Sequence, residues 1–268
     1  MKKSIAILIL FCNAIFCSYA QMQYHPWYGK RIAYIGDSVT DPNLRKEGMK
    51  HYWALLSEWL QATPLVYATS GHTLENGLKS LDRLHAEHGQ QVDAIMVFLG
   101  TNDFNAATPI GEFFTKAMAQ VERAKGEPRH MVERTQRTLA FDRQTVKGRI
   151  NMLLKKFRDL YPTKQIVLLT PMHRGYAAFS DNNIQPDESY ENEAGYYIHD
   201  IAETIRQAGQ IWSVPVIDLF GLSGLTPYTT AQQAYFFNAE KDLLHPNALG
   251  HERMAKVLLQ QTLLLPIY

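Results

Sequence analysis

Four short segments of this 268-residue chain carry side chains that chemistry uses, and each stands beyond an apolar run. Gly36-Asp37-Ser38-Val39-Thr40-Asp41 offers a hydroxyl, Thr69-Ser70-Gly71-His72-Thr73 a glycine, and Gly100-Thr101-Asn102-Asp103 a side-chain amide. Asp242-Leu243-Leu244-His245-Pro246-Asn247 adds a carboxylate and an imidazole. Attack of a serine on an ester needs a base within hydrogen-bond reach, a group that orients the base, and donors aimed at the oxyanion that forms. Ser38 supplies the hydroxyl and His245 the base. Asp242, three residues earlier in the same loop, is placed to accept from the second ring nitrogen and fix the tautomer. The oxyanion donors expected are the backbone N–H groups of Ser38 and Gly71 and the amide of Asn102. Glycine suits position 71 because a backbone N–H approaches a ligand closely where no Cβ intrudes.

These segments must be carried to one place. Short β-branched or apolar runs at Arg31–Ile35, Leu65–Ala68, Ala94–Leu99, Gln165–Thr170 and Val214–Asp218 read as strands. Between them, Tyr52, Leu55, Leu56, Trp59 and Leu60 line one face of a helix, as do Val146, Ile150, Leu153, Leu154 and Phe157. Ile198, Ile201, Ala202 and Ile205 form another such face, and Met254, Val257 and Leu258 begin the last. Alternating strands and helices predict one α/β domain over residues 21–268, a parallel sheet with helices on both faces. In such a sheet ligands bind beyond the carboxyl ends of the strands, where the first three segments fall.

In order and spacing, the four segments resemble the four blocks of the SGNH, or GDSL-type, hydrolase superfamily of esterases and lipases. Gly36-Asp37-Ser38, Gly71, Gly100 to Asp103, and Asp242 to His245 match one block each, and the resemblance spans about residues 30 to 262. It implies a flavodoxin-like three-layer α/β/α sandwich with a central five-stranded parallel sheet. It also implies a Ser38-His245-Asp242 triad and an oxyanion hole of Ser38, Gly71 and Asn102, with no cofactor. Val39 stands where the family often has a longer aliphatic residue, and the segment between the third and fourth strands is unusually long.

Other readings compete at single residues. Ser38 alone could cap a helix. Asp37 is expected to bond amides of its own turn, Asp103 to shape its loop, and Asn247 and Gly250 to shape the entry into the last helix. His85 and His88, three apart beside Glu87, read as a solvated helix face rather than a metal grip, so no metal site is expected. A binuclear metallophosphoesterase would need an Asp-x-His before residue 37 and a Gly-His-x-His near the end, and neither is present. A non-catalytic carbohydrate-binding relative would have no need of Ser38, Asp242 and His245 together.

Lys and Arg exceed Asp and Glu by one charge, so no basic field is available to hold a nucleic acid. Residues 1–20, with Lys2 and Lys3, an apolar run and Ser18-Tyr19-Ala20, read as an export signal cut before Gln21. That places the protein in a periplasm or outside the cell. Both cysteines, Cys12 and Cys17, lie in this segment, each after a phenylalanine, which disfavours a lipoprotein site without excluding it. No apolar run is long enough for stable membrane insertion.

A long insertion at about 104–142 is expected to cover the site. Within it Phe113, Phe114, Ala117, Met118 and Val121 repeat at helical spacing and predict a short amphipathic helix, as a flap, a partner surface or a face on the main core. A later loop with His173, Arg174 and Tyr176, the candidate substrate-binding residues, and Phe179, and another with Tyr228, Tyr235, Phe236 and Phe237, give an aromatic, polar rim. Such a rim suits a small-molecule or glycan acyl ester, above all an acetylated sugar, better than a lipid tail. A lysophospholipase or thioesterase of the same superfamily is the alternative. One chain fixes no oligomeric state.

Overall fold

Uninterrupted apolar runs build the middle of a parallel sheet in the computed structural model, which describes residues 24–44, 48–126 and 128–267. The expected export signal over 1–20 lies outside the described residues. Strands β1 (Arg31–Gly36), β2 (Thr63–Ala68), β3 (Ala94–Phe98), β6 (Gln165–Leu169) and β9 (Val216–Ile217) pair in the order β2-β1-β3-β6-β9, all parallel. Every residue of β3 and β6 is buried, as a strand covered on both faces requires. Successive side chains go to opposite cores. Ala33, Ile35, Ile95 and Val97 join one; Ile32, Tyr34, Ala94, Met96 and Phe98 join the other.

The first core is closed by α2 (Leu74–His88), α4 (Val146–Leu160) and α5 (Ile198–Trp212), through Leu81, Leu84, Leu153, Phe157 and Ile201. The second is closed by α1 (Tyr52–Trp59) and α8 (Ala248–Thr262), through Tyr52, Leu56, Met254 and Leu258. Each such buried side chain is worth roughly 1.5–3 kcal/mol, so the two cores hold the three layers together. Short helices α3 (Thr101–Asn105), α6 (Leu219–Leu222) and α7 (Thr230–Gln233) complete the set. Counting only sheet strands, the order is second, first, third, fourth, fifth, the flavodoxin-like arrangement, with its topological switch between β1 and β3. None of the described helices is long and apolar enough to cross a membrane.

Two expectations are corrected. Phe113 to Val121 do not form a helix: β4 (Phe114–Ala124) and β5 (His130–Leu139) make an antiparallel hairpin. Phe113 and Phe114 pack on the first core, but Met118 and Val121 are 58% and 44% exposed, so most of the supposed apolar face has nothing to rest on. Cross-strand pairs such as Val121 with Val132, and Thr115 with Thr138 at 2.7 Å between hydroxyls, stabilise extended chain instead. The Asp242-to-His245 segment is also not a loop. It is β11 (Asp242–Pro246), in a second, antiparallel sheet ordered β10 (Phe236–Asn238), β11, β7 (Ala177–Ser180), β8 (Asn183–Gln185).

Candidate active site

Where β1 ends, the chain turns sharply, and Ser38 stands on the turn with its Oγ 2.9 Å from His245 Nε2. His245 Nδ1 lies 2.9 Å from Asp242 Oδ2 and 3.1 Å from Oδ1. Asp242 Oδ1 also accepts from the backbone N–H groups of His245 (2.9 Å) and Leu244 (3.2 Å), so one carboxylate fixes both the ring and the strand that bears it. Burial pulls the Asp242 carboxyl upward, but these hydrogen bonds and the charge of His245 outweigh it and hold the group below the usual carboxylate range. Asp242 is an acceptor at neutral pH. The second sheet sets its position: Asp242 pairs with Ala177 of β7, and Gly175 N–H and Leu243 N–H bond across to Leu243 and Tyr176 carbonyls at 2.8 and 2.9 Å.

The loops after β2 and β3 bring Gly71 and Asn102 to the same cavity, of about 330 Å³, that Ser38 and His245 line. Gly71 has φ +83°, a conformation costly for any residue with a Cβ, and the place a Cβ would take is open. Among the described residues, the backbone N–H groups of Ser38 and Gly71 have no backbone acceptor. Asn102 Nδ2 donates to His72 O at 3.0 Å, and its Oδ1 accepts from Asn105 Nδ2 at 3.4 Å. Asn105 Oδ1 in turn accepts from Arg174 Nη1. A guanidinium only donates, so Arg174 fixes which way the Asn105 amide faces, and through it the amide of Asn102.

Buried carboxylates brace these loops. Asp37 accepts from Val39 N–H at 3.1 Å, as the sequence suggests, and burial raises its pKa to about 7. Asp41 accepts from both Ser70 N–H and Ser70 Oγ at 2.8 Å, tying the first loop to the second. Asp103 accepts from Leu74 N–H and from Arg149 Nη1, both at 2.8 Å, tying α3 to α2 and α4. Asn247 caps α8 by accepting from Leu249 and Gly250 N–H groups. No cluster of three or more His, Cys, Asp or Glu among the described residues is arranged to hold a metal. His88 instead lies 3.2 Å from Arg31, and the His85 ring meets Tyr161 edge-on.

Phe179 and Phe237 flank the His245 ring at 5.4 and 5.7 Å between centroids, and Leu44 and Leu244 add apolar wall. The three candidate substrate residues are placed differently from one another. His173 Nδ1 sits 2.6 Å from Glu188 Oε1, in a cluster with Tyr228 and against Phe220, and is not among the residues lining the cavity. Arg174 is 2% exposed and braces the wall from behind. Tyr176 is at the surface, 38% exposed, and lends its carbonyl to β11. Sequence reasoning missed the cavity residues Asn105, Asn183 and Gln185. Asn105 was within reach, because i, i+3 spacing on a helix beginning at residue 101 puts it beside Asn102. Asn183 and Gln185 lie in a three-residue strand that carries no periodic signal.

The profile of the GDSL-like lipase/acylhydrolase family matches residues 34–253. No curated protein matches the chain. Among solved structures, the chain is similar to a protein from Lactobacillus plantarum at 25% identity, covering 87% of this chain and 96% of that one, with a TM-score of 0.65. It is similar also to a possible lipase from Chitinophaga pinensis at 22% identity, covering 87% and 97%, TM-score 0.63. An acetylxylan esterase from Geobacillus stearothermophilus shares the fold at 16% identity, covering 89% and 96%, TM-score 0.54.

Proposed function

From the premise that the chain belongs to the GDSL-like lipase/acylhydrolase family, and is thus a carboxylic ester hydrolase, we propose a serine esterase that removes short acyl groups, acetyl above all, from a carbohydrate outside the cytoplasm. The observation that carries this reading is the unbroken line Ser38 Oγ, His245 Nε2, His245 Nδ1, Asp242 Oδ2, with both links at 2.9 Å. His245 takes the Ser38 proton as Oγ attacks the ester carbonyl, and Asp242 steadies the imidazolium. The tetrahedral oxyanion accepts from Ser38 N–H, Gly71 N–H and Asn102 Nδ2. Collapse expels the alcohol, to which His245 returns the proton; His245 then takes a proton from a water that attacks the Ser38 ester and hands it to the leaving Ser38 Oγ, freeing the acid. A cavity of about 330 Å³, walled by two phenylalanines and two leucines, lies near the lower end of the ~300–1,000 Å³ span of ligand sites and favours a short acyl group. The basic, apolar stretch over residues 1–20 supports export, and a mature chain beginning at Gln21 is the expected N-terminal sequencing result.

The test is hydrolysis of p-nitrophenyl acetate and p-nitrophenyl octanoate with EDTA present, wild type beside Ser38→Ala. The acetate ester should be the better substrate, and Ser38→Ala should lower its turnover roughly 10⁴–10⁶-fold. Equal rates in the two proteins would remove Ser38 from the chemistry, and preference for the octanoate ester would replace the acetyl esterase with a longer-chain acylhydrolase.

A further inference from the structure

A second cleft, of about 440 Å³, adjoins the catalytic cavity and shares Asn105, Asn183 and Gln185 with it as a common wall. We propose that this cleft is the leaving-group subsite and that it takes an uncharged polyhydroxylated ring, so that an ester reaching Ser38 is read by its sugar as well as by its acyl group. The inference rests on the serine-esterase reading above and adds to it where the sugar is held and that it is uncharged.

The chemistry of the wall points to hydroxyl groups. Arg174, buried behind it, donates through Nη1 to Asn105 Oδ1 and through Nη2 to Gln185 Oε1 at 2.9 Å and Pro186 O at 3.4 Å. Since both amide oxygens are occupied by a group that can only donate, the two NH₂ groups are turned away from it; each gives one hydrogen at 3.4 Å, to Asn102 Oδ1 and to Asn183 Oδ1, and keeps its second as a donor of fixed direction. Asn182 and Asn183 add amides able both to donate and to accept, which is what a hydroxyl offers in return. Tyr190, 62% exposed, lines the cleft and brings an aromatic side chain of the kind that covers the apolar side of a sugar. The far side is a built structure. Asn192 Oδ1 accepts from Ala194 and Tyr196 N–H groups at 3.0 and 3.1 Å, while its Nδ2 donates to Phe104 O at 2.9 Å.

Charge narrows the class. The cleft is lined by three carboxylates, Asp187, Glu191 and Glu193, against the single guanidinium of Arg174, which is 2% exposed and whose two Nη groups are engaged with Asn105, Gln185 and Pro186. Hydrogen bonds from Ser189 hold Asp187 below the usual carboxylate range, so it stays ionised at neutral pH. A phosphodiester head group or a uronate entering here would meet like charge without a free cation. A neutral sugar meets amides, an aromatic face and carboxylate acceptors.

The experiment compares three acetyl donors on the same protein: p-nitrophenyl acetate, which lacks a sugar; acetylated xylo-oligosaccharide, which is neutral; and a glycerophosphodiester bearing the same acetyl group. Asn182→Ala combined with Tyr190→Ala alters side chains that line only the second cleft. The double variant should raise KM for the sugar ester about tenfold with kcat within about twofold, and leave p-nitrophenyl acetate unchanged. Wild type should favour the sugar ester over the phosphodiester by at least about tenfold. An unchanged KM for the sugar ester, an equal loss on all three donors, or a preference for the phosphodiester would each overturn the subsite. Turnover of p-nitrophenyl acetate that survives Ser38→Ala would locate the failure in the underlying esterase reading instead.

Discussion

The carboxyl edge of the parallel sheet and the β4–β5 hairpin differ most in how they treat charge: one buries it and the other exposes it. Along the first, β1 and β3 end in loops tied by carboxylates that are almost wholly buried: Asp37 at 2%, Asp41 at 5% and Asp103 at 0% exposure. Along the second, the carboxylates Glu122 and Glu133 and the cations Lys116, Arg123 and Arg134 are all exposed. The sheet edge keeps groups that cost free energy to desolvate, because their hydrogen bonds fix Ser38, Gly71 and Asn102 relative to one another. The hairpin spends charge differently. Alternating signs on its two open edges guard against edge-to-edge pairing with another chain. Precision is therefore concentrated at one edge of the molecule, and sensitivity to substitution should follow it.

The largest contrast should come from Asp242→Asn. An amide at this position donates where the carboxylate accepted, which disfavours the His245 tautomer needed to take the Ser38 proton. The expected loss in kcat is on the order of 10⁴-fold. Measuring kcat on p-nitrophenyl acetate with circular dichroism beside it separates chemistry from folding. A variant as fast as wild type would detach Asp242 from the mechanism.

The same contrast explains what could be read from residues alone. Strands β1, β3 and β6 and the helix faces at Tyr52–Trp59, Val146–Leu160 and Ile198–Trp212 are legible because a core selects their apolar positions one by one. Ser38, Asp242 and His245 are legible because each lies beyond a segment whose type is clear or carries its partner at a short fixed spacing. The hairpin is illegible because neither of its faces is buried, so no alternation is imposed. The five apolar residues from Phe113 to Val121 then match a helical period by coincidence, two of them belonging to the main core. The antiparallel sheet escapes for another reason. Its strands run three to five residues, too short for period to register, and they come as two pairs, β7 with β8 and β10 with β11, widely separated in sequence.

A smaller effect, in stability, should appear at Asp37. Burial lifts its pKa from 3.8 to about 7, partly opposed by Val39 N–H and the charge of His245. The folded protein binds this proton more tightly than the unfolded chain, so the group costs nothing below about pH 4. The penalty grows as pH rises through 4 to 7 and levels off above. Asp37→Asn keeps an oxygen for Val39 N–H but has no charge to bury. Its Tm should equal that of wild type near pH 4 and exceed it by several degrees at pH 8. A Tm difference that is flat across this range, or larger at low pH, would mean that Asp37 is ionised in the fold with its charge fully compensated.

The smallest effect tests the other side of the comparison. Arg137 rests over the Phe114 ring at 4.3 Å, Phe113 and Phe114 reach the first core, and beyond them the hairpin pairs only with itself. Replacing residues 116–137 by Asn-Gly would join Thr115 to Thr138 through a two-residue turn of the type hairpins favour. The removed part buries little against the domain, so Tm should move by no more than about 2–4 °C, and kcat/KM for p-nitrophenyl acetate by less than about twofold. A drop of tenfold or more in kcat/KM, with Tm unchanged, would show the hairpin reaching the ester in solution and would dissolve the division of labour between the two regions. An unchanged kcat/KM would leave the chemistry wholly to the sheet edge, where the proposed triad stands.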